Sequence, residues 1–290
     1  MRNNILTLLA ITITLPALAQ VTVKGTSFIY SKGTNIFVKE AINLDAGTHI
    51  YLRKEAQLIQ DSNLPNTGAG ELSVFQEGAA NNYTYNYWSA PVGRIDLAGT
   101  GNQGFLNTQI KFPRIQAGFQ ANTFTSSTNF TALATDLVTD FQSATILSTS
   151  VRDGLTDEQN IGTAMVINPL RIASRWLYKY NNAGTGGGNG YASWQPFQTS
   201  AQVVEPGYGF TMKGVDPTTP GPNLFAQGNG IIGQRYDFRG RPNNGTITVR
   251  VVADDFALVG NPYPSALDLK RFIIDNTTEF AGALTAASQM

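Results

Sequence analysis

From residue 21 to residue 59, short apolar groups recur about every 6–8 residues: Val21/Val23, Phe28-Ile29-Tyr30, Ile36-Phe37-Val38, Ile42/Leu44, Ile50-Tyr51-Leu52 and Leu58-Ile59. Turn formers and charges fill the intervals, among them Lys24-Gly25, Lys32-Gly33-Thr34-Asn35, Asp45-Ala46-Gly47 and Lys54-Glu55. An amphipathic helix needs apolar residues at i, i+3, i+4 and i+7, and this spacing does not supply them. β-Branched and aromatic residues bounded by turn formers read instead as consecutive short strands. Such strands can pair as a meander or stack as rungs of a β-solenoid. The regularity of NIFV, AINL, HIYL and AQLI favours the solenoid-like form.

Residues 1–20 (MRNNILTLLAITITLPALAQ) are of a different kind. Arg2 supplies a positive start, Ile5 to Leu15 an apolar stretch broken only by polar threonines, and Pro16 is followed by Ala17-Leu18-Ala19. This is the pattern of a secretory signal, with cleavage expected after Ala19. The apolar stretch is too short to cross a bilayer, which takes around 20 residues, and no later segment reaches that length. The expectation is an exported protein at the cell surface or outside the cell.

Composition narrows the chemistry. The 290 residues hold 20 Lys+Arg against 20 Asp+Glu, one His and no Cys. A neutral chain lacks the basic footprint of a nucleic-acid binder or a polybasic membrane binder. Without Cys, and with His49 alone, cysteine nucleophiles and Cys/His zinc sites are excluded, and a Ser-His-Asp triad would have to use His49. That residue lies in GTHIYLR on an apparent strand, and no G-x-S-x-G elbow occurs, so His49 reads as structural. Charged residues make up 14%, against about 25% in average proteins, so the surface leans on Asn, Gln, Ser, Thr and Gly.

Beyond residue 60 the strand pattern continues. DSNLPNTGAG (61–70) is a connector, and ELSVFQEG (71–78) and YTYNYWSAPV (83–92) are further strands. In the second of these Tyr83, Tyr85 and Tyr87 alternate with Thr84, Asn86 and Trp88, an aromatic ladder expected to pack one strand face. Residues 94–167 lose the pattern and read as variable loops, a natural place for specificity. SRWLYKY (174–180) and ASWQPF (192–197) flank the glycine-rich NNAGTGGGNGY and read as a hairpin. YGFTMK (208–213), RYDF (235–238), TITVRVV (246–252) and FALVG (256–260) are expected strands, with Asn243-Asn244-Gly245 as a tight turn. Ser265, with Asp268 three residues on, is the expected cap of a short helix over residues 266–273.

The glycine-rich run 184–190 lacks the Lys-Ser/Thr of a phosphate loop and does not enter a helix, so a hairpin tip is the better reading. Carboxylate pairs for glycoside hydrolysis would be Glu71 with Glu77, Asp157 with Glu158, or Asp254 with Asp255. The last pair sits at an expected turn, where Asp is favoured for backbone reasons, and adjacent strand residues point to opposite faces. No EF-hand or Asp-rich repeat marks a calcium site. The sequence thus indicates no catalytic residue, cofactor or metal. Trp88, Trp176 and Trp194, with 11 Tyr and 16 Phe, serve strand packing first. If any build a stacking platform for sugars, Trp194 and Tyr191 beside the glycine tip are the residues of choice. Four Asn-x-Ser/Thr sequons (Asn82, Asn129, Asn244, Asn276) matter only in a host that glycosylates them.

Five phrases occur in order: YNYWSAPVG (85–93), WLYKY (176–180), PGYGFTMKG (206–214), FRGRPNNG (238–245) and LVGNPYPSALD (258–268). In this combination the chain resembles large cell-surface proteins of Bacteroidetes, especially Flavobacteria, exported by the type IX secretion system. The resemblance implies an outer-surface or secreted location, an adhesin-like or envelope-structural role, and surface glycans or other envelope proteins as partners. Such proteins usually end in a sorting domain that engages the secretion machinery. Residues 280–290 (FAGALTAASQM) do not match one, and a truncated terminus or a longer parent is the expectation. The fold class expected is mainly β. A signal peptide (1–19) and a short-strand repeat region (20–80) precede an antiparallel, sandwich-like β domain (81–276) with one short C-terminal helix, and a tail follows (277–290). The leading function is a non-enzymatic exported surface protein; a carbohydrate-binding or polysaccharide-acting surface protein is the alternative.

Overall fold

The computed structural model describes residues 20–79, 81, 83–96, 101–112, 142–143, 145–147, 171–173, 176–180, 193–199, 201–214, 224–228, 231–250 and 256–275. The signal-like segment, Tyr191 and most of the region 94–167 lie outside them. The protein is mainly β, with one short α-helix, α1 (Leu269–Asp275), near the C-terminus.

The first eight strands are β1 (Val21–Val23), β2 (Phe28–Lys32), β3 (Ile36–Val38), β4 (Ile42–Leu44), β5 (His49–Arg53), β6 (Leu58–Gln60), β7 (Thr67–Gly68) and β8 (Glu71–Ala79). They do not form a meander. They wind as a three-faced solenoid in which β1, β4 and β7, then β2, β5 and β8, then β3 and β6 stack in parallel. The registers Val21↔Ile42, Phe28↔His49 and Ile36↔Leu58 set a rung of about 21 to 22 residues. Each rung turns its corners in the left-handed backbone region: Gly25 and Gly47 at one corner, Gly33 and Lys54 at another. Glycine adopts that conformation freely, whereas Lys54 and Glu55 are held in it against their preference. Inside, Val23, Val38, Ile42, Leu44, Ile50, Leu52, Leu58 and Leu72 form one buried column. Asn66 closes the last rung: its Oδ1 accepts from the Ile42 N–H (2.8 Å) and Gln60 Nε2 (2.9 Å), and its Nδ2 donates to Gln60 Oε1 (2.8 Å) and the Pro242 carbonyl (2.9 Å).

The remaining strands are β9 (Tyr85–Ser89), β10 (Val92–Gly93), β11 (Ile110–Phe112), β12 (Gln142–Ser143), β13 (Thr145–Leu147), β14 (Arg171–Ala173), β15 (Tyr178–Tyr180), β16 (Trp194–Pro196), β17 (Gly209–Lys213), β18 (Leu224–Gly228) and β19 (Ile231–Pro242). β19 pairs antiparallel with β8, so one solenoid face runs on without a break into a larger sheet of order β12-β11-β19-β8-β5-β2. A second, antiparallel sheet of order β16-β15-β17-β9 lies against it. Trp88 of β9 meets Tyr236 edge-on at 5.3 Å and Phe238 at 5.7 Å, and Phe210 of β17 lies 6.3 Å from Phe238. Phe105 and Phe197 complete this core at 5.3–6.4 Å between ring centres. Each such ring, fully withdrawn from water, contributes about 1.5–3 kcal/mol, which makes this contact the main fastening between the sheets.

Four expectations need correction. TITVRVV is not a strand over its described residues 246–250, and FALVG contributes only an isolated bridge between Val259 and Tyr208. The tight turn expected at Asn243-Asn244-Gly245 therefore joins no hairpin. Its side chains brace other segments: Asn243 Nδ2 donates to the Ala90 and Pro262 carbonyls (3.2 and 3.0 Å), and Asn244 Nδ2 to the Leu64 carbonyl (2.8 Å). The helix begins at Leu269, not after Ser265, because the Asp268 carboxylate caps it by accepting from the Arg271 N–H at 2.9 Å. The preceding NPYPS turn is spent on docking: the Tyr263 hydroxyl donates to the Gly245 carbonyl at 2.6 Å, and the Leu58 N–H to the Pro264 carbonyl at 2.9 Å.

Candidate functional site

The four-stranded sheet has two unlike faces, because successive strand residues point opposite ways. Trp88, Phe210 and Met212 go into the core. Tyr85, Tyr87, Thr211, Lys213, Tyr178 and Trp194 share the outer face. The register sets Tyr87 opposite Thr211 and Thr211 opposite Tyr178, while Tyr85 faces Lys213 and Tyr180 faces Trp194. Thr211 is the small floor between two tyrosines, with its hydroxyl donating to the Tyr178 carbonyl at 3.3 Å. Tyr85, Tyr87, Tyr178, Trp194 and Thr211 line a groove of about 160 Å³.

The walls are held in place by their neighbours. Tyr180 meets Trp194 edge-on at 5.2 Å, and Tyr85 meets Trp176 edge-on at 6.0 Å. Tyr87 is 67% exposed, an unusual outlay of aromatic surface for a strand residue. At the Tyr85 end, the Lys213 ammonium lies 3.7 Å from the centre of the Trp176 ring and 5.3 Å from that of Tyr85. The groove is smaller than the roughly 300–1,000 Å³ typical of an enclosed small-molecule pocket. Flat aromatic faces with hydroxyl groups at their rims suit one ring of an extended chain, apolar C–H face against aromatic face and polar edges to the hydroxyls.

Of the two platform residues expected from sequence, Trp194 lines the groove and Tyr191 lies outside the described residues. Sequence reasoning missed Tyr85, Tyr87, Tyr178 and Thr211. The tyrosine alternation in YTYNY is legible in the sequence, but on its own it suggests a packing ladder. The residue that packs is Trp88 on the opposite face, and Tyr83, ahead of β9, is 79% exposed.

The two acidic candidates among the described residues, Glu71 and Glu77, do not converge. Glu71 and Glu77 lie on one strand six residues apart, about 20 Å along β8, too far to flank one glycosidic bond. Glu77 is engaged by Arg235 Nη2 at 2.7 Å. Asp157, Glu158, Asp254 and Asp255 lie outside the described residues. Among the described residues no three His, Cys, Asp or Glu side chains gather as a metal would require, and no helix is long and apolar enough to cross a membrane. His49 Nδ1 stands 3.9 Å from Glu71 Oε2. Burial above all, then the Arg239 charge, lowers the His49 pKa, while burial raises that of Glu71 against the opposing pull of Arg239 and Lys111.

That pair borders a buried ionic network on the solenoid-side sheet. Asp237 Oδ2 accepts from Arg239 Nε at 2.6 Å and Asp237 Oδ1 from the Ser73 hydroxyl at 2.6 Å. Arg53 reaches Ser73 through Nη2 to Oγ (2.9 Å) and Nη1 to the carbonyl (3.0 Å), with its guanidinium 3.7 Å above the Phe75 ring. Arg53, Ser73, Asp237 and Arg239 are all buried, so this cluster holds strands together and presents no open face to a substrate. A wider depression of about 520 Å³ between the end of β6, residues 243–247 and the NPYPS turn is polar, lined by Gln60, Asp61, Asn63 and Asn244 among others. Its Asn243, Asn244 and Tyr263 are committed to the braces described above. Asn244 is also a sequon residue, and it is buried.

No curated protein and no solved structure matches the chain. A family model does, over residues 8–166 and 147–288, and its description is a domain of unknown function, DUF8693. Those two matches span nearly the whole sequence, groove and solenoid included, and on that extent the chain belongs to the DUF8693 family.

Proposed function

We propose that the protein is an exported, non-enzymatic surface protein of adhesin-like character that holds a glycan chain on the aromatic groove of its four-stranded sheet. The observation that carries this reading is the outward row of Tyr87, Thr211 and Tyr178 with Tyr85 and Trp194 beside it. Exposed aromatic area is costly to leave in water and is retained where something covers it. A row of rings across adjacent strands offers a flat, rigid surface with little side-chain entropy left to lose on binding. The solenoid and the continuous sheet supply a stiff mount. Export rests on the signal-like residues 1–19, and a type IX route on the resemblance carried by the five sequence phrases. The dispersal of the acidic candidates among the described residues favours binding over hydrolysis.

The test is a glycan array on the purified protein beside its Trp194→Ala and Tyr87→Ala variants. Saturable binding to one glycan class, weakened about tenfold or more in both variants, is expected if the rings carry the contact energy. A folded protein that binds no glycan, or one whose binding is indifferent to both substitutions, would remove the groove from the argument and leave an envelope-structural role.

A further inference from the structure

We infer that the sugar recognised by the groove is anionic, a uronic-acid or sulfated unit, and that Lys213 is the residue that selects it. This rests on the glycan reading above and goes beyond it by naming the ligand's charge. Lys213 faces Tyr85 across the β17–β9 pair, on the outer face of the sheet. It lies two residues beyond Thr211, about 7 Å along the strand from the groove floor. That is roughly the step from one ring of a saccharide to a substituent on the next.

The ammonium's surroundings make it a binding group. Its contacts are aromatic, 3.7 Å from the Trp176 ring centre and 5.3 Å from that of Tyr85. It forms no ion pair among the described residues. The negative face of a ring holds a cation in place without cancelling its charge. The effect is to fix a normally mobile lysine, so that a carboxylate or sulfate meeting it loses less conformational freedom than at an ordinary surface lysine. On a chain with zero net formal charge, a fixed unpaired cation beside an aromatic groove is a local signal against a weak background. Trp176 and Tyr85 meet edge-on at 6.0 Å, so one tyrosine both walls the groove and borders the charge.

The experiment titrates the purified protein with polygalacturonate, with its carboxyl-reduced neutral form, and with dextran against dextran sulfate. The variants are Lys213→Met, which keeps the aliphatic stem against Trp176 and removes the charge, and Trp194→Ala. The expected result is at least about tenfold tighter binding of an anionic polymer than of its neutral counterpart. That preference collapses in Lys213→Met and shrinks at about 0.5 M salt. The two anionic arms separate carboxylate from sulfate, and a preference for either supports the inference. Equal binding of neutral and anionic polymers, lost in Trp194→Ala but unaffected by Lys213→Met, overturns the role of Lys213 and leaves the glycan reading intact. An anionic preference that survives in Lys213→Met also overturns it, by placing the selecting charge elsewhere. No binding by any polymer to the folded protein overturns both.

Discussion

Asp237→Asn should destabilise this protein more than any conservative change on its surface, and the reason can be followed atom by atom. The carboxylate serves two buried partners at once, accepting from Arg239 Nε at 2.6 Å and from the Ser73 hydroxyl at 2.6 Å. Ser73 passes the interaction on to Arg53 Nη2 at 2.9 Å, so one carboxylate is linked to two guanidiniums. Arg239 and Asp237 side chains are both fully buried. Burial already depresses the Arg53 pKa to about 10, with Asp237 the leading influence holding it up. Asparagine keeps the shape, removes the charge and turns an N–H₂ toward one of the two donors. Removing one member of a buried pair costs about 3–5 kcal/mol, chiefly because the charge left behind remains out of water. At roughly 2–4 °C per kcal/mol for a domain of this size, the midpoint of thermal unfolding should fall by about 6–20 °C. Urea unfolding followed by tryptophan fluorescence measures the loss as a lower midpoint at unchanged slope. The double variant Asp237→Asn/Arg239→Met should be no less stable than Asp237→Asn alone, since the second change removes the buried cation from which the first took its 2.6 Å carboxylate acceptor. A loss below about 1 kcal/mol for the single change, the size of an exposed pair, would refute the argument by showing that the guanidiniums are solvated or otherwise neutralised.

Two further outcomes are expected. Asn66→Ala strips four hydrogen bonds at the last rung and leaves the Ile42 N–H and the Pro242 carbonyl without their partner, so a loss of about 2–4 kcal/mol should be read in the same urea titration. His49 has a pKa lowered on folding, so the unfolded chain binds its proton more readily, and stability should fall as the pH drops below the unfolded value of 6.5. Unfolding free energies measured from pH 7.5 to pH 5 should show that slope in the wild type and a flatter one in His49→Gln. Glu71, raised on folding, acts in the opposite sense at lower pH: its contribution is present below its unfolded value of 4.5 and is lost as the pH rises through its folded value.

The solenoid was legible in outline because its strands announce themselves locally. Ile36-Phe37-Val38 and Ile50-Tyr51-Leu52 are β-branched or aromatic and bounded by turn residues, whatever they pair with. The period of the rung was harder to see, since the corner residue in the left-handed conformation is Gly33 in one turn and Lys54 in the next. At that corner the repeat of backbone shape had no matching repeat of residue type, unlike the Gly25/Gly47 corner. The 246–252 segment misled for the converse reason: alternating threonine, isoleucine and valine is a strand pattern, yet residues 246–250 find no ladder partner. The asparagines before them, which look like turn formers, are occupied in bracing Ala90, Pro262 and Leu64. At the helix, Ser265 and Asp268 are both suitable caps, and the choice fell to the one not already committed to the NPYPS docking turn.

The amino-acid order alone settled the β character, most of the short early strands, the presence of one late helix and the exclusion of cysteine and multi-histidine chemistry, because these depend on side-chain identity and on periodicities of two or 3.6 residues within a single segment. The tertiary structure alone decided that the early strands stack in parallel, that β8 serves both solenoid and sandwich, and that Tyr85 and Tyr87 stand beside Tyr178 and Trp194. Those residues, about 90 to 110 positions apart in the chain, are brought together by the registers of β9 with β17, β17 with β15 and β15 with β16, and register is a property of the assembled sheet: slipping one strand by a single residue would turn the same tyrosines inward and bury the groove.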